Sequence, residues 1–198
     1  MFTETQILKK IIKNAWKGSG LHVEHTDNDW LALSGYWWRL EVDYQQLNNK
    51  VKAQLIELIG EIPERGEGYL YFKNTDPQSE LPGTTYQNLM EKWTHYKAEY
   101  EITNVLLKTS QDNLAVLQCG ESKILIPEWA ADLTKGETDD DGENEPGNGR
   151  SMNGEPYVIW ANNKMALAIF KRGEQYAGER EFIETVSEID LCWDFIQE

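Results

Sequence analysis

Apolar residues fall into two kinds of repeat along this chain, one of helical period and one that alternates. Between residues 36 and 44 the sequence reads Tyr-Trp-Trp-Arg-Leu-Glu-Val-Asp-Tyr. Alternation puts Tyr36, Trp38, Leu40 and Val42 on one face and Trp37, Arg39 and Glu41 on the other, which predicts a half-buried strand. Asp43 then stands as an N-cap with Gln46 three residues on, and Val42 and Leu47 are spaced as a hydrophobic staple. A helix over 44–60 follows, carrying Leu47, Val51, Leu55, Leu58 and Ile59 inward. Gly60 and the Ile62-Pro63 pair end it.

The same reading predicts a helix over 4–17, capped by Thr3 with Gln6, in which Ile7, Leu8, Ile11, Ile12, Ala15 and Trp16 form one stripe. A third, over 84–98, takes Thr84 and Gln87 as its capping box. A fourth spans 179–197, with Phe182, Val186, Ile189, Trp193 and Ile196 spaced by four and three, a seam suited to the protein's own sheet or to a second copy. Strands are predicted within 21–34 and at 68–73, then as a meander at 102–108, 114–119 and 123–126. A hairpin at 157–161 and 164–170 turns on Asn162-Asn163. Pro127 opens a short helical turn at 128–133. The fold class expected is therefore α+β: a mostly antiparallel, twisted sheet of about six or seven strands covered by about four helices, in one domain. The polar stretch 74–83 is the candidate boundary if the chain divides into two lobes. Residues 134–156, poor in apolar side chains, read as a flexible, exposed acidic insertion that folding does not need.

Charge changes this picture. The formal net charge is −15 over 198 residues, with eight Trp and nine Tyr. Such a surface repels nucleic-acid phosphates and disfavours direct DNA or RNA binding, and it steers basic partners. With Cys119 and Cys192 as its two cysteines and no run of roughly 20 apolar residues, the chain reads as a cytoplasmic protein with unlinked thiols and no membrane span.

Candidate chemistry is sparse. Glu137, Asp139 and Asp141 ahead of Gly142 resemble the start of a calcium loop, but the twelfth position is Asn148 and not a bidentate Glu. His25, Asp27 and His95 have the ligand types of a two-histidine, one-carboxylate iron site, without the strands such a site uses. Neither cysteine has a histidine near it in sequence, and there is no nucleophile elbow or phosphate-cradling glycine loop. No cofactor is expected. The reading that remains is a small acidic protein acting by binding another, basic protein, as inhibitors, immunity proteins and nucleic-acid mimics do. Its expected contact residues are Trp37, the acids Glu181, Glu184, Glu188 and Asp194 near the C-terminus, and Asp139, Asp140 and Asp141. The alternatives are a hydrolytic or metal-dependent enzyme whose carboxylates converge only in three dimensions, and a carbohydrate-binding module using exposed Trp.

Overall fold

The computed structural model describes residues 2–110, 112–135, 146–152, 154–172 and 177–192. In chain order the elements are α1 (Thr5–Lys17), β1 (Leu21–His25), β2 (Trp30–Ser34), β3 (Trp38–Asp43), α2 (Asn49–Ile59), β4 (Glu67–Tyr71), β5 (Gln78–Glu80), α3 (Leu89–His95) and β6 (Ala98–Lys108). They continue with β7 (Asn113–Cys119), β8 (Ser122–Pro127), α4 (Glu128–Leu133), β9 (Gly149–Ser151), β10 (Tyr157–Asn162), β11 (Met165–Phe170) and α5 (Ala177–Val186). The eleven strands form one open sheet in the order β5-β4-β1-β2-β3-β11-β10-β9-β6-β7-β8, antiparallel at every pairing. The predicted α+β class is the observed one.

Alternation along the strands sorts their side chains onto two faces. On the first, Leu21, Val23, Leu31, Leu33, Trp38, Leu40, Val42, Leu167 and Ile169 build the main core, closed by Leu8, Ile12, Val51, Leu55 and Leu133 from α1, α2 and α4. Backbone and side-chain bonds tie these helices together. Glu4 donates its N–H to the Leu133 carbonyl at 2.8 Å, and Gln54 donates to the Lys9 carbonyl at 2.6 Å. On the second face, α3 packs Leu89 onto Tyr157, Ile159, Ala161, Ala166 and Ala168. Further along, Phe182 and Ile183 of α5 pack on Leu114, Val116 and Leu125.

β3 is therefore covered on both sides, and the half-buried reading of 36–44 is corrected. Glu41, placed on its outer face, is 1% exposed. The cover is residues 83–89, which cross the sheet as a turn and irregular chain and reach helix only at Leu89. Two carboxylates hold them there. Glu24 accepts N–H bonds from Gly83, Thr85 and Tyr86 at 2.6, 2.8 and 2.9 Å. Glu41 accepts from Gln87 and Leu89 at 2.6 and 2.7 Å. Both acids face Ala32 across one row of the sheet, and that short side chain lets the crossing strand of backbone come close.

Three predicted helix starts, those of α1, α2 and α3, also move. α3 begins after Asn88, in a left-handed conformation at φ 52, once the amides of 83–89 are spent on the sheet. α1 is capped by Glu4, which accepts from Gln6 and Ile7; Thr3 is buried at 2% exposure. Asp43 caps a single 3-10 turn, Tyr44–Gln46. Leu47 then dives into the core, and α2 starts afresh on Asn48. α5 ends at Val186, short of the predicted 197, and 187–192 are turns.

Residues 74–83 contain the edge strand β5, paired with β4. The acid-rich part of the predicted insertion, 136–145, lies outside the described residues, but 149–151 differ from the expectation. They are β9, which pairs with β10 on one side and β6 on the other and so joins the two parts of the sheet. Its glycines answer to tryptophans. A Cβ on Gly147 would sit 2.3 Å from the Trp93 ring, and one on Gly149 would sit 2.7 Å from the Trp160 ring.

Replacing Glu41 tests the carboxylate clamp. Glu41→Gln keeps the shape but has one acceptor where two amides need one each, so a loss of about 1–3 kcal/mol is expected. Burial raises the Glu41 carboxyl above its ordinary value of 4.5, against the pull of the Gln87 and Leu89 amides. A carboxyl raised in the folded state contributes most stability below its unfolded value, and that contribution falls as pH rises through the folded value. The advantage of Glu41 over Gln should thus narrow as pH climbs from about 4.5. Denaturant titrations across that range check it; a gap independent of pH would contradict the assignment.

Candidate functional site

The most prominent cavity, of about 490 Å³, is a groove between α1, α4 and the turn joining β2 to β3. One flank of α1 supplies Ile7, Lys10, Ile11 and Asn14, spaced i, i+3, i+4 and i+7 as one side of a helix must be. Opposite stands Trp129, carried by the first turn of α4 just after Pro127. The turn closes the end with Tyr36, Trp37 and Trp38.

Gly35 makes that turn possible. A Cβ there would lie 2.7 Å from Trp38 Nε1 and 3.0 Å from the Ala15 Cβ. The turn closes with the Gly35 N–H on the Trp38 carbonyl at 3.1 Å, so the strand begins at Trp38 and not at Tyr36. The three aromatics consequently part company. Trp38 is core at 3% exposure, whereas Tyr36 is 70% exposed; the prediction that Tyr36 shares the buried face is corrected. Trp37 is half-buried. Its ring meets Tyr36 edge-on at 4.6 Å and 87° and takes the Arg172 guanidinium over its face at 5.1 Å. Arg172 in turn reaches Glu179 at 3.4 Å, at the start of α5.

The groove's charged lining is Lys10 and Asp132, with Asp132 paired to Lys135 at 2.9 Å. Among the described residues no histidine, cysteine or second carboxylate lines it. Such a surface offers aromatic faces and a near-neutral rim, which bind apolar or ring-shaped groups, and it holds no base beside a nucleophile.

Of the contact residues expected from sequence, Trp37 is in the groove. Glu181 and Glu184 are exposed on α5, and Glu188 is exposed in the turns after it. Asp139, Asp140, Asp141 and Asp194 lie outside the described residues, as does most of the proposed calcium loop. The seam on α5 is used internally: Phe182 and Ile183 pack on the sheet. Ile189 is 50% exposed beyond the helix end, and Trp193 and Ile196 are outside the described residues. The iron-site residues do not converge. His25 is held between the Pro63 carbonyl at 3.0 Å and Asp29 at 2.9 Å, and His95 meets the Glu91 carbonyl of its own helix. The His25 contact, with Gln45 and Arg65 behind it, keeps the Asp29 carboxyl below its usual value. Among the described residues no group of three His, Cys, Asp or Glu side chains is placed to hold a metal.

Tyr36 and Trp129 are the groove residues that sequence reasoning missed. An aromatic in the first turn after Pro127 was a usable signal for Trp129, but nothing local pairs it with α1. No known protein family matches the chain, and no curated protein matches it.

Truncations should separate the three neighbours. Trp38→Ala is expected to cost about 3–5 kcal/mol, while Tyr36→Ala should stay within about 0.5 kcal/mol of the parent. Urea unfolding measures both; comparable losses at the two positions would place Tyr36 in the core.

Proposed function

We propose that the protein acts by binding another protein, one that offers an apolar side chain within a basic surface, and that the groove beside Tyr36, Trp37 and Trp129 receives that side chain. One observation carries the reading: an exposed tyrosine set edge-on to a half-buried tryptophan at the mouth of a cavity of about 490 Å³. Aromatic anchors over a pocket that sheds water are where interface energy concentrates. The charge of −15 supports a basic partner by raising the rate of encounter. Lys10 and Asp132 leave the groove itself close to neutral, so steering falls to acids elsewhere, Glu181, Glu184 and Glu188 among them. Inhibitors, immunity proteins and nucleic-acid mimics work on this physics. α5 turns its apolar face to the protein's own sheet, which favours the groove over that helix as the seat of binding. Cys119 and Cys192 are unlinked, in keeping with a reducing, cytoplasmic setting, and no helix among the described residues is long and apolar enough to cross a membrane.

Capture from lysate of the source cell tests this, with the intact chain as bait. A basic protein should be retained at about 0.1 M salt and largely lost near 1 M, where the Debye length falls from roughly 10 Å to roughly 3 Å. The double variant Tyr36→Ala, Trp129→Ala should release it while keeping the parent's circular dichroism. Neutralising Glu181, Glu184 and Glu188 to Gln should slow capture without abolishing it. Retention of the same partner by the double variant, or indifference to salt, would overturn the proposal. Soluble oligosaccharide that displaces the partner from the groove would instead favour the carbohydrate reading.

A further inference from the structure

The other face of the sheet carries a second cavity, of about 230 Å³, where the cover of residues 83–89 and α3 leaves the strands bare. Its floor is one cross-strand row. His22 on β1 faces Ser34 on β2, Ser34 faces Arg39 on β3, and Arg39 faces Ala168 on β11. Directly opposed side chains stand about 5 Å apart at Cβ. The short Ser34 therefore makes a pit flanked by two long nitrogen-bearing side chains. Tyr36 and Phe170 add aromatic walls.

The hydrogen bonding of this row is incomplete in a particular way. The Arg39 side chain makes no hydrogen bond or ion pair with any described residue, and its Nε, like those of Arg150 and Arg172, is buried without a hydrogen-bond partner. The chain has 34 acids against 19 Lys and Arg, and Arg65, Arg150 and Arg172 each hold a carboxylate. Glu41, two residues along β3, feels the charge of Arg39 but spends both oxygens on the Gln87 and Leu89 amides. The Ser34 hydroxyl, on a residue 6% exposed, likewise has no partner among the described residues. His22 is the ordered member: its Nδ1 lies 2.8 and 2.9 Å from the two oxygens of Glu80. That contact fixes the ring and leaves Nε2 as the nitrogen available to a ligand. A guanidinium with no carboxylate partner and an orphaned buried nitrogen, beside a hydroxyl with no protein partner, is a site short of an anion.

We infer that this pocket binds a small phosphate monoester, with Arg39 and Ser34 on the phosphate oxygens, His22 Nε2 on a third polar atom, and the Tyr36 and Phe170 rings beside the organic group. Three donors spread along a row suit the several oxygens of a tetrahedral anion; a planar carboxylate is satisfied by the guanidinium fork alone. The site shares Ser19, Tyr36 and Trp38 with the groove, but the polar row of His22, Ser34 and Arg39 lines this cavity and not the groove, and the inference does not rest on the proposed protein partner.

Calorimetric titration of the full chain with phenyl phosphate, inorganic phosphate and benzoate, at matched ionic strength, tests it. Saturable one-to-one binding of phenyl phosphate is expected, with inorganic phosphate weaker for want of the ring, and benzoate weaker by about tenfold or more. Arg39→Gln should lose about tenfold or more in phenyl phosphate affinity. Ser34→Ala should lose less, and Lys13→Gln, which removes an exposed charge from α1, nothing. Phenyl phosphate should also raise the melting temperature of the parent and not that of Arg39→Gln. If Arg39→Gln does not fold, Ser34→Ala and the parent's ligand preference decide. Absence of saturable binding by either phosphate, benzoate binding as tightly as phenyl phosphate, or parental affinity in a folded Arg39→Gln would each overturn the inference.

Discussion

Two carboxylates buried in one cross-strand row hold the second layer of this molecule against its sheet. Glu24 and Glu41 lie on either side of Ala32 in one cross-strand register, and between them they accept five backbone N–H groups from residues 83–89. A buried carboxylate without partners costs several kcal/mol, and a stretch of backbone laid over a sheet without acceptors is as poor. Each defect cures the other. The consequence is spatial: α3 must start where the last of these amides ends, at Leu89, which is then fully buried on the Tyr157–Ala168 cluster. Lys92, one turn on, reaches the Tyr157 hydroxyl at 3.0 Å. Because the clamp stops at the Glu24 and Glu41 row, the next row, His22, Ser34 and Arg39, is left to line a cavity.

The sheet has a narrow joint as well. β9 supplies three residues between β10 and β6, and side chains must reinforce so short a pairing. Trp93 and Trp160 lie where Cβ atoms of Gly147 and Gly149 would be, Trp93 Nε1 donates to the Asn148 carbonyl at 3.1 Å, and Arg150 sits over the Trp93 ring at 4.1 Å while pairing with Glu99. Glycine here is the condition for indole rings to press directly on backbone.

Legibility in the sequence followed the range of the forces involved. The meander β6–β8, the hairpin β10–β11 and the turn Glu128–Leu133 rest on alternation, short turns and a proline, all local, and they stand where the pattern put them. The starts of α1, α2 and α3 did not, because a capping box at Thr3, Asp43 or Thr84 is worth about 1 kcal/mol. Tertiary demands outbid it in each case: the burial of Phe2 and Thr3, of Leu47, and the grip of Glu24 and Glu41. A glutamate inside an alternating strand reads as solvent-facing, and nothing local to Glu24 or Glu41 announces backbone amides some 46 to 62 residues away. β5 and β9 have three residues each, too few to show a period. Of the groove, Trp37 was legible from its position beside the strand. Tyr36 was misplaced because alternation was extended two residues past the point where Gly35 turns the chain.

That turn is where the two faces meet. Tyr36 lines the groove against α1 and α4, and it also lines the smaller cavity over Ser34. Gly35 leaves no room for a side chain between Trp38 and Ala15, and its N–H on the Trp38 carbonyl closes the turn that carries Tyr36. Its side chain, largely in solvent and braced edge-on by Trp37, is the part left free to choose a position. A ligand that orders this ring on one face alters the wall presented on the other, and by linkage the effect runs equally in both directions. Under the two proposals a Tyr36 rotamer drawn over the Ser34 pit would withdraw aromatic surface from the groove, so an anion and a protein partner would compete for one ring. Trp37 is the neighbour that would feel such a move, because its ring meets Tyr36 edge-on on one side and takes the Arg172 guanidinium over its face.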